Sequence, residues 1–393
     1  LTSIWKTSLA SSESTLPMNK HLVLLLVFAL VSCNAEKNSE KASLGDFEFS
    51  YTVDTVKVDS KGLLLNVQGG FLSMSVSAEK QILLFFNTSE KRLDLIDLTN
   101  YEINRSIRFS LDGPNSIGSR TPYEFKIVND GTIIIPSFDA IRKVDSTGQV
   151  LDIYNWDNIA FQKGNIPEGN ILSFTGEYDE TGDVFYGIFG IARGGNRSGV
   201  GLAILDIPSL YVQTIEVPLL KRMEDYKVEL EGEMSITSGD QYFLQKIDQR
   251  VLISTESYNS IAVYDKGEGT LRQLDFQSDF LPAKKPGNFP KKVNSQKTFE
   301  DALISKAKEI TFGKFVWDAE SRHFLRFSYK QLQIDPMRYD TFLSVFDEDF
   351  NLIKEIKGVP MLNGNTFFHN GYLHKGININ DELAFVRIKP AYE

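Results

Sequence analysis

Imidazole chemistry in this chain rests on the three histidines that follow the N-terminal apolar segment: His323, His369 and His374. If Asn370-Gly371 forms a two-residue hairpin turn, His369 pairs with Tyr372 and Phe367 with His374, which makes the two imidazoles diagonal neighbours on one face. Such a pair could begin a metal site. No third ligand lies nearby in sequence, so the expectation is aromatic and imidazole packing, with no metal assigned. Serine hydrolysis has no G-x-S-x-G elbow to use. Gly194-Gly195-Asn196-Arg197-Ser198-Gly199 looks like a phosphate loop but lacks the Lys-Ser/Thr ending and a following helix, so it reads as a hairpin tip. Arg193 and Arg197 remain candidates for touching an acidic partner. The acidic runs Glu224-Asp225, Glu229, Glu231, Glu233 and Asp347-Glu348-Asp349 lack calcium-loop spacing and read as solvated faces. No catalytic set and no cofactor site emerges.

Two further features carry chemistry of another kind. Lys284, Lys285, Lys291, Lys292 and Lys297 fall in one Pro-rich stretch of an otherwise acidic chain. They read either as loop charges needed for solubility or as a docking arm for an anionic partner. The single cysteine, Cys33, follows an unbroken apolar run from Leu22 to Val31 and Ser32. At about 1.5 Å per residue that run spans only about half of a roughly 30 Å hydrocarbon core, so it reads as a signal segment. Leu30-Val31-Ser32-Cys33 resembles the lipobox of bacterial lipoproteins, which implies that Cys33 would become the acylated residue of a membrane-anchored protein. On this reading 1–17 is an over-extended start, 18–32 the signal peptide, 33–46 a polar tether and 47–393 the folded body.

The elements that must position any site come from composition and repetition. Of 393 residues 42% are hydrophobic and 24% charged, an ordinary globular balance, and the net charge of −10 speaks against a general nucleic-acid binder. One cysteine leaves no internal disulfide framework. With 28 Phe and 15 Tyr, strands are favoured over a helical bundle. An apolar strand ending in Asp and followed by a polar turn recurs at Asp97, Asp145, Asp206, Asp265 and Asp347. Each Asp would accept N–H bonds from the residues after it. A second column of strand, turn and apolar strand precedes it, at 76–86, 127–138, 178–189, 317–329 and more weakly 246–254, with Asn370-Gly371 as a sixth turn. Each unit is therefore a four-stranded antiparallel meander.

The last unit lacks a fourth strand, while the body begins with an orphan one, Phe47-x-Phe49-x-Tyr51-x-Val53. Pairing the two would leave no open edge, so the sequence predicts an all-β, six-bladed β-propeller of about 58 residues per blade, longer than the roughly 40–45 of compact repeats. The longest insertion, 281–310, holds the lysines and the one convincing helix. Thr298 followed by Asp301 reads as its capping-box start, with Phe299, Leu303, Ile304 and Ala307 as its apolar stripe.

Gly113-Pro114-Asn115-Ser116-Ile117-Gly118, the Tyr178-Asp179-Glu180-Thr181-Gly182 turn and the lipobox together resemble an uncharacterised family of Bacteroidetes lipoproteins with TolB-like six-bladed propellers. The resemblance implies fold and compartment and assigns no reaction. The functional expectation is an exported, lipid-anchored envelope protein, on the outer membrane and facing the periplasm or the surface. Its body would be monomeric, would bind or scaffold without catalysis, and would take an envelope protein or glycan as partner. The alternative is a propeller enzyme of lactonase, hydrolase or lyase type with its site in the central funnel.

Overall fold

Five aspartates close five turns, as the repeat requires. Asp97 Oδ1 accepts the Thr99 N–H at 2.7 Å, Asp145 Oδ1 those of Thr147 and Gln149, Asp206 Oδ1 that of Ser209, Asp265 Oδ1 those of Gly267 and Glu268, and Asp347 Oδ1 those of Asp349 and Asn351. The computed structural model describes residues 48–392, except 68–70, 72–73, 78–80, 111, 114, 119–121, 123, 157–165, 168–169, 191–199, 233–234, 334–336, 361 and 363. Cys33, the tether, Arg193 and Arg197 lie outside the described residues.

Each of these turns joins the third and fourth strands of an antiparallel sheet. The first sheet holds β2–β5 (Met74–Val76, Ile82–Asn87, Arg92–Asp97, Glu102–Arg108), the second β6–β9 (Lys126–Ile127, Ile133–Pro136, Ala140–Val144, Val150–Asn155) and the third β10–β13 (Leu172–Tyr178, Val184–Phe189, Gly201–Asp206, Tyr211–Glu216). The fourth holds β16–β19 (Tyr242–Ile247, Arg250–Thr255, Ser260–Asp265, Thr270–Asp275) and the fifth β21–β24 (Thr311–Asp318, His323–Gln333, Arg338–Phe346, Leu352–Lys357). In the sixth, β25–β27 (Thr366–His369, Tyr372–Ile379, Glu382–Tyr392) are completed by β1 (Phe49–Lys57), which runs antiparallel to β27 from Phe49 opposite Tyr392 to Lys57 opposite Ala384. The main body is therefore all-β, and the strand that begins it pairs with β27.

Second strands such as Ile82–Asn87 and Ile133–Pro136 are buried along nearly their whole length. A strand with packed neighbours on both faces reads as a continuous apolar run instead of an alternating one. Those neighbours are the adjacent sheets. One cluster joins Leu84 and Leu93 of the first sheet to Ile133 and Val144 of the second; others join Ile134 to Phe185, Ile188 to Ile253, Val263 to Phe346, and Leu325 to Leu373. A further cluster brings Leu383 and Phe385 of the sixth sheet against Leu83 and Phe85 of the first.

The segment between the third and fourth sheets carries elements of its own, and one expectation, the start of the insertion's helix, needs correction. The acidic stretch 219–240 is structured: α1 (Pro218–Lys221) and a 3₁₀ turn lead into β14 (Val228–Leu230) and β15 (Ile236–Ser238), and β14 pairs in parallel with β20 (Lys292–Val293) of the lysine-rich insertion. The helix α2 (Gln296–Ala307) starts one turn earlier than expected, because Ser295 rather than Thr298 is its N-cap and accepts the Thr298 N–H. Its buried face is Phe299, Ala302 and Lys306, while Ile304 is exposed.

Candidate functional site

Two first strands carry the same device. The pairing of β10 with β11 slips between Leu172 and Gly176, and that of β21 with β22 slips between Phe312 and Phe315. A Cβ on Gly176 would meet the Tyr186 carbonyl oxygen at 2.2 Å, and one on Gly313 the Phe327 carbonyl oxygen at 2.3 Å, so only glycine allows each close approach. The residue that follows each glycine, Glu177 or Lys314, lines a shared cavity.

That cavity, of about 390 Å³, is lined from the first strand of every four-stranded sheet: Met74 to Val76, Lys126, Thr175 to Glu177, Tyr242 to Gln245, Lys314, and Thr366 with Phe367. Glu124, just before β6, joins them. An adjoining cavity of about 700 Å³ shares Val76, Lys126, Glu177, Gln245, Thr366 and Phe367 and extends to Asp179, Glu180 and Asp248.

The charges of this site are unevenly matched. Lys126 Nζ lies 2.9 Å from Glu177 Oε2 and 3.9 Å from Glu124 Oε2. Burial alone would lower the Lys126 amine, but Glu124 and Glu177 outweigh it and hold the amine above its usual value. Burial raises the carboxyl of Glu124, opposed by Lys126, and its Oε1 has no hydrogen-bond partner. Lys314 donates one hydrogen bond, to the Thr366 carbonyl at 2.9 Å. Burial lowers its amine to about 8. Among the described residues Lys314 has no ion pair.

The residues singled out by sequence fall elsewhere. His369 and His374 meet as expected, with His369 opposite Tyr372, Phe367 opposite His374 and the imidazole centroids 5.9 Å apart. His374 is fully buried: its Nδ1–H donates to the Tyr372 carbonyl at 2.9 Å, its Nε2 accepts from the Tyr101 hydroxyl at 2.8 Å, and Phe367 stacks on its ring. Burial lowers the His374 imidazole to about 4. His323 stacks on Tyr392. No group of three metal-ligating side chains occurs among the described residues.

The five lysines do not share a face. Lys285 is buried and pairs with Asp240 at 2.8 Å, beside Lys306, which reaches the other Asp240 oxygen at 2.8 Å. Burial would raise the Asp240 carboxyl, but the two ammoniums hold it low. Lys291 Nζ sits 3.5 Å from the centroid of Phe289. Lys292 faces Glu231 at 3.4 Å, and only Lys284 and Lys297 of the five are exposed without an ion pair among the described residues. Of the five lysines expected on a docking arm, the acidic stretch 224–240 and one aromatic ring take three.

Sequence reasoning missed Glu124, Lys126, Glu177 and Lys314. The readable signal was a charged residue directly after glycine on a first strand, Gly176-Glu177 and Gly313-Lys314.

A family described as a domain of unknown function, DUF4221, matches residues 46–357. None of the curated proteins matches the chain. Among solved structures, a DUF4221 family member from Bacteroides vulgatus is similar over 88% of this chain and 99% of its own, at 17% identity and a TM-score of 0.63. A putative exported protein from Bacteroides fragilis covers 87% and 95% at 10% identity and a TM-score of 0.49. The β-propeller domain of a Myceliophteria thermophila protein covers 80% and 82% at 13% identity and a TM-score of 0.43.

Proposed function

This chain belongs to the DUF4221 family, and from that premise we propose that it is a lipid-anchored, six-bladed β-propeller that binds a small ligand in its central cavity without transforming it. The six-bladed reading takes each four-stranded sheet as a blade and the β1–β27 pairing as the closure. It is supported by the apolar clusters that link consecutive sheets and return from the sixth to the first. Cys33 is the proposed lipid attachment, on an envelope membrane and, by preference, the outer membrane, with a monomeric body and an envelope protein or glycan as further partner.

The observation that carries the binding reading is the shared cavity, to which all six first strands contribute and which holds Lys314 with two donor positions unused among the described residues. A thermal-shift screen of small polar compounds on the purified body tests it. Stabilisers whose effect disappears in Gln245→Trp, which fills the cavity, support the reading; stabilisers indifferent to that change sink it. The anchor is tested separately: Cys33→Ser should move the protein from the membrane fraction to the soluble one.

A second reading, an enzyme of lactonase, hydrolase or lyase type in the same cavity, is favoured by the lowered amine of Lys314. Near pH 8 a sizeable fraction of it is neutral and able to act as base or nucleophile. Turnover of any stabilising compound, lost in Lys314→Met, would decide for it.

A further inference from the structure

We infer that the cavity takes a small organic monocarboxylate, its carboxylate held by the Lys314 ammonium beside Thr366; this rests on the reading of the cavity as the ligand site.

The argument begins with how this protein treats its buried lysines. Lys285 and Lys306 share the Asp240 carboxylate, and Lys306 adds the Tyr226 carbonyl. Lys291 lies over the Phe289 ring. Lys126 stands between Glu177 and Glu124. Each has an anion or a π face. Lys314 has neither among the described residues, only the Thr366 carbonyl, and an ammonium offers three donors. A desolvated cation with two unused donors in a cavity wall is a binding group waiting for an acceptor.

The surrounding charge sets what that acceptor can be. Lys126 is taken up by Glu177 at 2.9 Å, with Glu124 at 3.9 Å, so among the described residues Lys314 is the one cation of this wall without an anion, a single positive charge left to match. A monoanion balances that. A dianion such as phosphate would bring a second negative charge toward Glu177 and Glu124. The remaining walls, Met74, Val76, Phe243 and Phe367, suit an organic body, and about 390 Å³ is at the small end of the roughly 300–1,000 Å³ of ligand pockets.

The test uses the full purified chain and two matched probe pairs, benzoate with benzamide and galacturonate with galactose, with inorganic phosphate as a fifth probe. Binding is followed by calorimetry at pH 8.5 in two buffers of different ionisation enthalpy. The expected result is that at least one acid binds while its neutral counterpart and phosphate do not. Binding should bring proton uptake, because a bound carboxylate returns Lys314 to its charged form. Lys314→Met should weaken that binding about tenfold or more and abolish the proton uptake, while Lys314→Arg retains binding. Neutral probes binding as well as acids, indifferent to Lys314→Met but lost in Gln245→Trp, would overturn the carboxylate inference and leave the cavity reading standing. Acids binding equally to the wild type, Lys314→Met and Gln245→Trp would overturn both. Binding of no probe at all would overturn the inference.

Discussion

The Tyr101 hydroxyl donates to His374 Nε2 at 2.8 Å, joining a turn of the first sheet to a strand of the sixth. Because the Tyr372 carbonyl can only accept, the His374 proton sits on Nδ1, and Nε2 is left as the acceptor. Arg387 donates to the same Tyr101 oxygen at 3.2 Å and holds Asp54 of β1 through two hydrogen bonds. The seam between the first sheet, the sixth and β1 thus carries one directed chain of hydrogen bonds built for a neutral imidazole.

That chain has a pH signature. Burial lowers His374 from 6.5 to about 4, so below pH 6.5 the unfolded chain takes up a proton that the folded one refuses. The stability His374 contributes is complete above about pH 6.5, declines as pH falls toward about 4, and is level below that. The full loss is on the order of 3 kcal/mol. Urea unfolding at pH 7 and pH 4.5 should show a larger decrease for the wild type than for His374→Gln. Equal decreases would mean that the imidazole is charged in the folded state.

Arg326 is fully buried and, among the described residues, has no carboxylate partner; it donates to the carbonyls of Gly313, Thr255 and Tyr258 and to Asn259 Oδ1. Its removal leaves several buried acceptors of the fourth and fifth sheets unpaired. Arg326→Met should cost about 3–5 kcal/mol, with an unchanged m-value in urea. Arg326→Lys should recover little, since an ammonium cannot reproduce the planar fork.

Asp240 is the single carboxylate paired with both Lys285 and Lys306. Asp240→Asn should destabilise by about 3–5 kcal/mol by leaving two buried ammoniums without an anion. The double variant Asp240→Asn with Lys285→Met should be less damaged than the sum of its single changes. Additive losses in a double-mutant cycle would show that the pair is not coupled.

Deleting residues 48–57 removes β1 and uncovers the edge of β27 over its whole paired length. The shortened chain should unfold at lower temperature with less cooperativity and self-associate, seen by calorimetry and light scattering, because an open edge invites strand addition. A monomer with unchanged melting would show that the pairing is dispensable.

What the sequence made readable was local or periodic. The five Asp turns, the continuous apolar second strands and the His369–Tyr372 register all follow from neighbours a few residues apart. The site was harder, since Lys126 and Glu177 are 51 residues apart and meet only when two sheets lie side by side. The lysine-rich insertion misled for the same reason. Its counter-charge, Asp240, lies 45 residues before Lys285, and nothing in a linear charge count announces that the two will be buried together.

The pairing of β1 with β27 also sets the order of events during synthesis. Strand β1 emerges among the first residues of the body, and its partner, ending at Tyr392, among the last. Five sheets can assemble as they appear, each from strands adjacent in sequence, but the sixth must wait for β27 to be made while β1 remains unpaired. Such a contact, between residues more than 300 apart, is slow to form. Until β27 has been made, β1 is an unpaired strand with an open edge, and a chaperone that shields it would protect the sixth sheet's missing member.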